Sequence, residues 1–414
     1  MNLIYNTAMH LMSGVSALGA LKSAKLKKMR RGQSETMSYL ANKIKPTDRP
    51  VWIHAASLGE FEQGRPLIER IKREYPGRKI VLTFFSPSGY EVRKNYPIVD
   101  AVCYLPFDTP SRVRRFLDIL NPSVAVFVKY EFWGNYLTQL AKCHIPTYII
   151  SAIFRPDQVF FKPWGGTFRR MLGCFDTLYL QDDNSRQLLE EIGVTNTRVV
   201  GDTRFDRVTD IMNTTTPMHD IESFATSGSL CVIAGSSWPL DEDVYMPWFN
   251  RHPEVKLIIA PHEFDDERIK NLKQRCENGA TSYSTFNGDN TPQVLIVDCF
   301  GKLAAMYRYC DVAIVGGGFG VGIHNINEAA VYNLPVIFGP KYSKFKEAVD
   351  LVSLGGAFSI NNRDEFDRVM DRMLDESIRL KASITAGDYV KSQLGATDAI
   401  YTDLEGLFKD ADAR

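Results

Sequence analysis

Short apolar runs recur along the chain, and between several of them the hydrophobic positions shift to helical spacing. Runs at residues 51–56, 79–84, 101–104, 123–128, 146–151, 176–180 and 198–200 predict buried strands. Phe61 to Tyr75 reads as an amphipathic helix with Leu67, Ile68 and Ile71 on one face, and residues 110–120, 133–142 and 184–192 carry helical patterns too. Strands alternating with helices predict a parallel sheet covered on both faces. Residues 212–229 break the pattern with a polar stretch containing Thr, Ser, Pro and Gly, which predicts a linker. The alternation then resumes. Strands are expected at 230–234, 255–260, 293–297, 311–315, 334–338 and 356–360, and helices near 241–251, 265–276, 300–308, 325–332 and 344–353. A helical stretch over about 364–408 finishes the chain. The fold class is therefore α/β, with two Rossmann-like, doubly wound domains at 45–211 and 230–390 and a closing helix in 391–414. A ligand in such an arrangement usually sits between the domains, at the carboxyl ends of the strands.

The N-terminal segment, residues 1–31, follows a different pattern. Residues 1–21 contain no Asp, Glu, Lys or Arg, and residues 22–31 then carry Lys22, Lys25, Lys27, Lys28, Arg30 and Arg31 with no acid. A signal peptide has the opposite order, with its charge first. Asn2, Asn6, Thr7, His10, Ser13 and Ser16 make the apolar part weak for a full span. Either the segment is an ordinary amphipathic helix with a solvated basic end, or it meets a membrane with its basic tail on anionic lipid.

Composition narrows the function classes. The 414 residues carry 49 basic and 49 acidic side chains, a formal net charge of zero. A dedicated nucleic-acid binder usually has a basic excess, so no nucleic-acid partner is expected. The seven cysteines are scattered with no C-x-x-C pair. That suits free thiols in a reducing compartment, not a disulfide framework or a zinc site.

The unusual loops mostly follow expected strands. GGGFGVGIHNINEAA, 316–330, follows the run CDVAIV. Gly316, Gly317 and Gly318 would let backbone N–H groups approach an oxyanion, and a helix starting near Asn325 would add a positive end. Glu328 could accept hydrogen bonds from two ribose hydroxyls, or merely complement the helix dipole. Ser236 and Ser237 in GSSWP could bind a phosphate or sugar or could cap the next helix. His262 in APHE could be a phosphate ligand or a polar helix start. In the first half, Ser86 and Ser88 open a helix and could bind an anion or serve as N-cap. Glu131 with Lys129 in KYEFW could form an ion pair or touch a polar acceptor. Glu60, between a strand and a helix, is a carboxylate favoured as the anion and so able to take a proton from a hydroxyl nucleophile. No H-E-x-x-H, G-x-x-x-x-G-K-[ST] or G-x-S-x-G occurs, which leaves metal hydrolase, P-loop and α/β-hydrolase chemistry unsupported.

Taken in order, the apolar-then-basic N-terminus, WIHAASLGEFEQGRPLI, KYEFWGN, GDTRFD, GSSWP and GGGFGVGIHNINEAAVYNLPVIFGP resemble the 3-deoxy-D-manno-octulosonic acid (Kdo) transferase family. The resemblance implies a GT-B glycosyltransferase using CMP-Kdo as donor and a lipid A precursor, the tetraacyl disaccharide phosphate, as acceptor. It implies inversion with Glu60 as base and no metal or other cofactor. Donor contacts would come from Gly316–Gly318, Asn325 and Glu328, with Ser236 and Ser237 nearby and Glu131 on the acceptor side. It also implies attachment to the inner membrane, with the catalytic domains cytoplasmic. Two rivals remain on the same architecture: a sugar-nucleotide epimerase, which has no use for a membrane anchor, and a non-catalytic nucleotide-binding scaffold.

Overall fold

The computed structural model describes residues 3–409; residues 1–2 of the expected N-terminal segment and 410–414 of the expected closing helix lie outside the described residues. The chain forms two compact units, one from the residues up to Arg207 together with those from Leu394 onward, the other from Val208–Gln393.

In the first unit, β1 (Val51–Ala55), β2 (Ile80–Phe84), β3 (Ala101–Tyr104), β4 (Val124–Val128), β5 (Thr147–Ala152), β6 (Thr177–Leu180) and β7 (Thr197–Val199) match the seven expected runs. They form one parallel sheet in the order β3-β2-β1-β4-β5-β6-β7. Alternate strand residues feed two cores. Trp52, Val81, Phe127 and Ile149 pack on one side. Val51, Ile53, Leu82 and Val126 pack on the other, against Leu67, Ile68 and Ile71 of the helix Leu58–Glu74. That helix begins three residues before Phe61, so Glu60 stands in its first turn.

The second unit repeats the design. Its strands are β8 (Leu230–Ser237), β9 (Val255–Pro261), β10 (Ala280–Ser282), β11 (Val294–Ile296), β12 (Val312–Val315), β13 (Val336–Phe338) and β14 (Ala357–Ser359). They run parallel in the order β10-β11-β9-β8-β12-β13-β14. Ile233–Ala313 and Gly235–Val315 are register partners between the two central strands.

Two boundaries differ from expectation. Residues 212–229 are not an open linker. The helix Thr203–Thr214 runs across the division, and His219–Thr226 is a second helix with Ile221, Phe224 and Ala225 buried. The closing helix Ala396–Phe408 belongs to the first unit, because Ile400, Tyr401, Leu404 and Phe408 complete its core.

The N-terminal helix Leu3–Gly19 is inverted relative to an ordinary surface helix. Several of its contacts with the protein are polar: Tyr5, which also packs on the core, donates to Asp108 at 2.6 Å, Gly134 N–H donates to Tyr5, and Ser13 is buried. Leu3, Ile4, Leu11, Met12, Val15 and Leu18 are exposed instead. The basic residues continue into the helix Ala24–Lys43, whose Leu40 lies in the core. Among the described residues no helix is long and apolar enough to cross a membrane. All seven cysteines are free.

Candidate active site

Parallel sheets of this winding bind ligands where the strand order reverses. In the first unit that point lies between β1 and β4, in the second between β8 and β12. The sequence-marked residues follow these strands: Glu60 after β1, Lys129 to Glu131 after β4, Ser236 and Ser237 ending β8, and Gly316–Gly318 after β12.

Glu60 is half-buried, and its carboxylate accepts from the Ser57 hydroxyl in a close contact. Ser57 starts the helix without capping its backbone, so the hydroxyl is spent on Glu60. The turn holding Ser86 and Ser88 lies alongside, since Phe85 N–H and Ser86 N–H both donate to the Ala56 carbonyl. Ser86 Oγ accepts from Ser88 N–H at 3.3 Å and lies 2.9 Å from Ser88 Oγ, so this pair caps its short helix.

Glu131 is buried, and the partners it shows are a histidine and a tryptophan. Its carboxylate faces His54 Nε2 at 3.0 Å and accepts from Trp133 Nε1 at 2.6 Å. His54 is fully buried within β1, and its other ring nitrogen faces the Thr83 carbonyl at 3.1 Å. The same nitrogen lies 2.9 Å from the Thr83 hydroxyl, and Trp133 Nε1 lies 3.1 Å from Nε2, so the ring is held on both sides by polar partners. Lys129 has a left-handed backbone (φ 67°), and its ammonium lies 5.3 Å from the Tyr130 ring centre.

Three residues not singled out from the sequence gather near Glu60. Arg155 donates to the Tyr130 hydroxyl at 3.1 Å. Burial pushes the Tyr130 hydroxyl up; the Arg155 and Arg204 charges oppose this and the Glu60 carboxylate adds to it. Arg204 is fixed by Asp202, to which its Nε donates at 2.9 Å. Burial would raise the Asp202 carboxyl, but Arg204 and the Gln63 amide outweigh it and hold the group below its ordinary range. Beside these groups lies a largely apolar cavity of about 760 Å³, whose lining includes Met9, Met12, Tyr130, Trp133, Arg155 and Phe160.

In the second unit the expected donor residues come together, but several do structural work. A Cβ on Gly316 would lie 2.2 Å from the Ser236 carbonyl, and one on Gly318 2.6 Å from Gly339 N. Gly317 has φ +93°. The glycines thus allow close packing of the loop on itself. Gly316 N–H donates to the Gly235 carbonyl, and Gly317 N–H to Asp241 at 2.9 Å, so neither points at a ligand. Ser237 is buried on Tyr245 at 2.9 Å and Glu242 at 3.3 Å. Ser236 stays partly exposed in a left-handed conformation (φ 51°), a strained setting for a side-chain-bearing residue. The helix expected over 325–332 is the single turn Asn327–Ala330, too short for a large dipole. Asn325 donates to Glu328 at 3.1 Å, which fixes both at the loop's end.

His262 stacks between Trp238 and His324, with ring centres 4.6 and 4.4 Å apart. Trp238 Nε1 donates to His324 Nε2 at 3.2 Å, so that nitrogen is unprotonated. Burial and the His262 ring pull the His324 imidazole down to about 4. Asp241 and Trp238 were not anticipated. Their sequence signal was Trp-Pro-x-Asp, a helix start with Pro first and an acid third. Asn327 gave no signal at all: its side chain is fully buried and both amide atoms lack a partner.

Comparison with known proteins gives a family and a fold. Residues 26–207 match the family described as "3-Deoxy-D-manno-octulosonic-acid transferase (kdotransferase)". Curated proteins named 3-deoxy-D-manno-octulosonic acid transferase match over most of the chain. The Rickettsia felis protein is 27% identical, covering 80% of this chain and 73% of that one. The Aquifex aeolicus protein is 26% identical, covering 80% and 88%, and the Haemophilus influenzae protein is 26% identical, covering 86% of each. Among solved structures, UDP-GlcNAc 2-epimerase from Neisseria meningitidis bound to UDP-GlcNAc superposes with TM-score 0.61 at 13% identity, covering 86% of this chain and 100% of that one. A putative UDP-N-acetylglucosamine 2-epimerase from Listeria monocytogenes gives 0.60 at 12% identity, covering 89% and 98%. At such identities these structures speak for the GT-B-like fold alone. The sequence relatives speak for glycosyl transfer, and over most of its length the chain is similar to 3-deoxy-D-manno-octulosonic acid (Kdo) transferases.

Proposed function

We propose that this protein is an inverting glycosyltransferase that moves Kdo from CMP-Kdo to a lipid A precursor, the tetraacyl disaccharide phosphate, with Glu60 as general base. The observation that carries the reading is the setting of Glu60: a half-buried carboxylate in a helix first turn, held by Ser57, at the point where the first sheet's strand order reverses. The base takes the proton of an acceptor hydroxyl as that oxygen attacks the anomeric carbon, and CMP leaves from the opposite face. Glu328, steadied by Asn325, accepts the ribose hydroxyls. Ser236 and His262, with Gly318 behind them, line the phosphate side. Gly316, Gly317 and Ser237 hold that loop in shape.

On the acceptor side, Arg155, Arg204 and Lys129 supply positive charge for the acceptor phosphates, with Ser86 and Ser88 at the edge. Glu131 acts by holding His54 and Trp133. The outward apolar face of the helix Leu3–Gly19 and the basic residues after it support peripheral attachment to the anionic lipid of an inner membrane, with the catalytic units in the cytoplasm. The epimerase and scaffold readings have fold likeness in their favour and nothing further.

The test is transfer from CMP-Kdo to a lipid A precursor by purified protein without added metal, beside Glu60→Gln. Wild-type transfer with a folded variant slower by about a hundredfold or more supports the base. Equal rates would reduce Glu60 to a partner of the helix dipole, and a wild type that transfers nothing would overturn the substrate assignment.

A further inference from the structure

Beneath the N-terminal helix, two guanidinium groups converge on one hydroxyl. Arg30 Nη1 donates to the Ser13 carbonyl at 3.2 Å and to Ser13 Oγ at 3.1 Å. Arg112 Nη1 donates to the same Oγ at 2.9 Å. Among the described residues neither arginine has an acid as partner. Asp108, which precedes the helix carrying Arg112, is turned onto Tyr5 and the Asn135 and Tyr136 N–H groups, and Glu35, which follows Arg30, pairs with Arg31. Arg30 also lies 5.6 Å over the Phe107 ring. Two like charges sharing one neutral acceptor repel each other. Burial and the Arg112 charge pull the Arg30 guanidinium below its ordinary range.

A small cavity of about 80 Å³ opens at this pair, lined also by Gln33, Ser34, Pro106 and Phe107. That is several times the ~10–15 Å³ that admits one water. Arg112 is the third residue of the helix Pro110–Leu120, whose Thr109 makes no side-chain cap. The positive end of an eleven-residue helix therefore faces the same region.

We propose that Arg30 and Arg112 form a binding site for a phosphate group. Paired guanidinium forks match phosphate oxygens, and an anion there removes the repulsion between the two cations. The group can come from a phospholipid headgroup or from free inorganic phosphate. Met12 and Val15, exposed on either side of Ser13 along the helix, favour the headgroup. The headgroup assignment rests on the membrane attachment proposed above for this helix, whereas binding of free phosphate does not.

Full-length protein would be titrated with inorganic phosphate by calorimetry. It would also be floated with phosphatidylcholine vesicles containing phosphatidic acid or, at equal charge, phosphatidylglycerol. Arg30→Gln, Arg112→Gln and the control Lys28→Gln would be compared, with folding checked by circular dichroism. The expected result is that each arginine variant loses at least about tenfold in affinity. Lys28→Gln should lose at most the about fivefold that one surface charge contributes to vesicle binding, and nothing towards inorganic phosphate. Loss with phosphatidic acid vesicles assigns the headgroup, and loss with inorganic phosphate alone assigns the free anion. Arg112 is exposed, so its variant keeps the test alive if Arg30→Gln does not fold. Arginine variants that fall no further than Lys28→Gln in both arms would overturn the site, as would a wild type that binds neither probe.

Discussion

Asp241 replaced by alanine and by asparagine should give two unlike proteins. Its Oδ2 accepts from Trp238 N–H at 3.0 Å and Gly317 N–H at 2.9 Å, and the residue is 4% exposed. Alanine leaves two buried donors without a partner, each costing about 1–3 kcal/mol, so a loss of about 2–4 kcal/mol is expected if a water restores part of the bonding. Asparagine keeps the shape and an oxygen for both donors; only the charge goes. Burial raises the Asp241 carboxyl above its ordinary 3.8, and the N–H bonds offset this only in part. The site as a whole therefore does not favour the anion, and asparagine should cost below about 1 kcal/mol. The sign of the pH effect follows. A raised folded-state value means the native protein holds the proton more tightly. This contribution is full below 3.8 and is lost as pH rises through the folded value, and Asp241→Asn lacks it. Denaturant unfolding gives the stabilities, and hydrogen exchange at the Trp238 and Gly317 amides reports the loop directly. If alanine costs no more than asparagine, and both amides stay equally protected, the claim that Asp241 anchors the glycine loop is wrong.

Two further substitutions probe the histidine clusters. Glu131→Ala removes the partner of buried His54 and of Trp133, and should lower stability by about 2–4 kcal/mol by denaturant midpoint. A variant as stable as wild type would return Glu131 to a ligand-facing role. His324 is drawn down to about 4 from 6.5, so the unfolded chain binds its proton first as pH falls. Its contribution is full above 6.5 and is lost towards about 4; His324→Gln should flatten the fall of melting temperature across that window, and an unchanged profile would count against it.

The strands were legible because central strands of a parallel sheet are buried on both faces and read as unbroken apolar runs. β10, Ala-Thr-Ser at a sheet edge, has no such run and went unseen. The stretch 212–229 misled for a related reason. In His219–Thr226 only Ile221, Phe224 and Ala225 face the core, too few positions to outweigh the polar residues around them. Ownership of the closing helix was also hidden, since Ile400 and Leu404 announce a buried face but not whose core they fill.

The site divided along the same line between local and long-range information. Its place at strand ends was legible, because a turn from strand to helix is written in adjacent residues. Its bonding was not. Glu131 finds His54 across 77 residues of sequence, where Lys129 stood two residues away. Gly317 finds Asp241 across 76. In both cases a buried acceptor meets the donors that the strand order delivers, because leaving them unpaired would cost more than any nearby surface ion pair returns. The glycines show the same logic from the other side. Gly316 and Gly318 fit because the Ser236 carbonyl and Gly339 lie where a Cβ would be, a constraint set by strands β8 and β13. A phosphate-cradling loop and a tightly packed loop therefore look identical in sequence, and the partners of each N–H distinguish them.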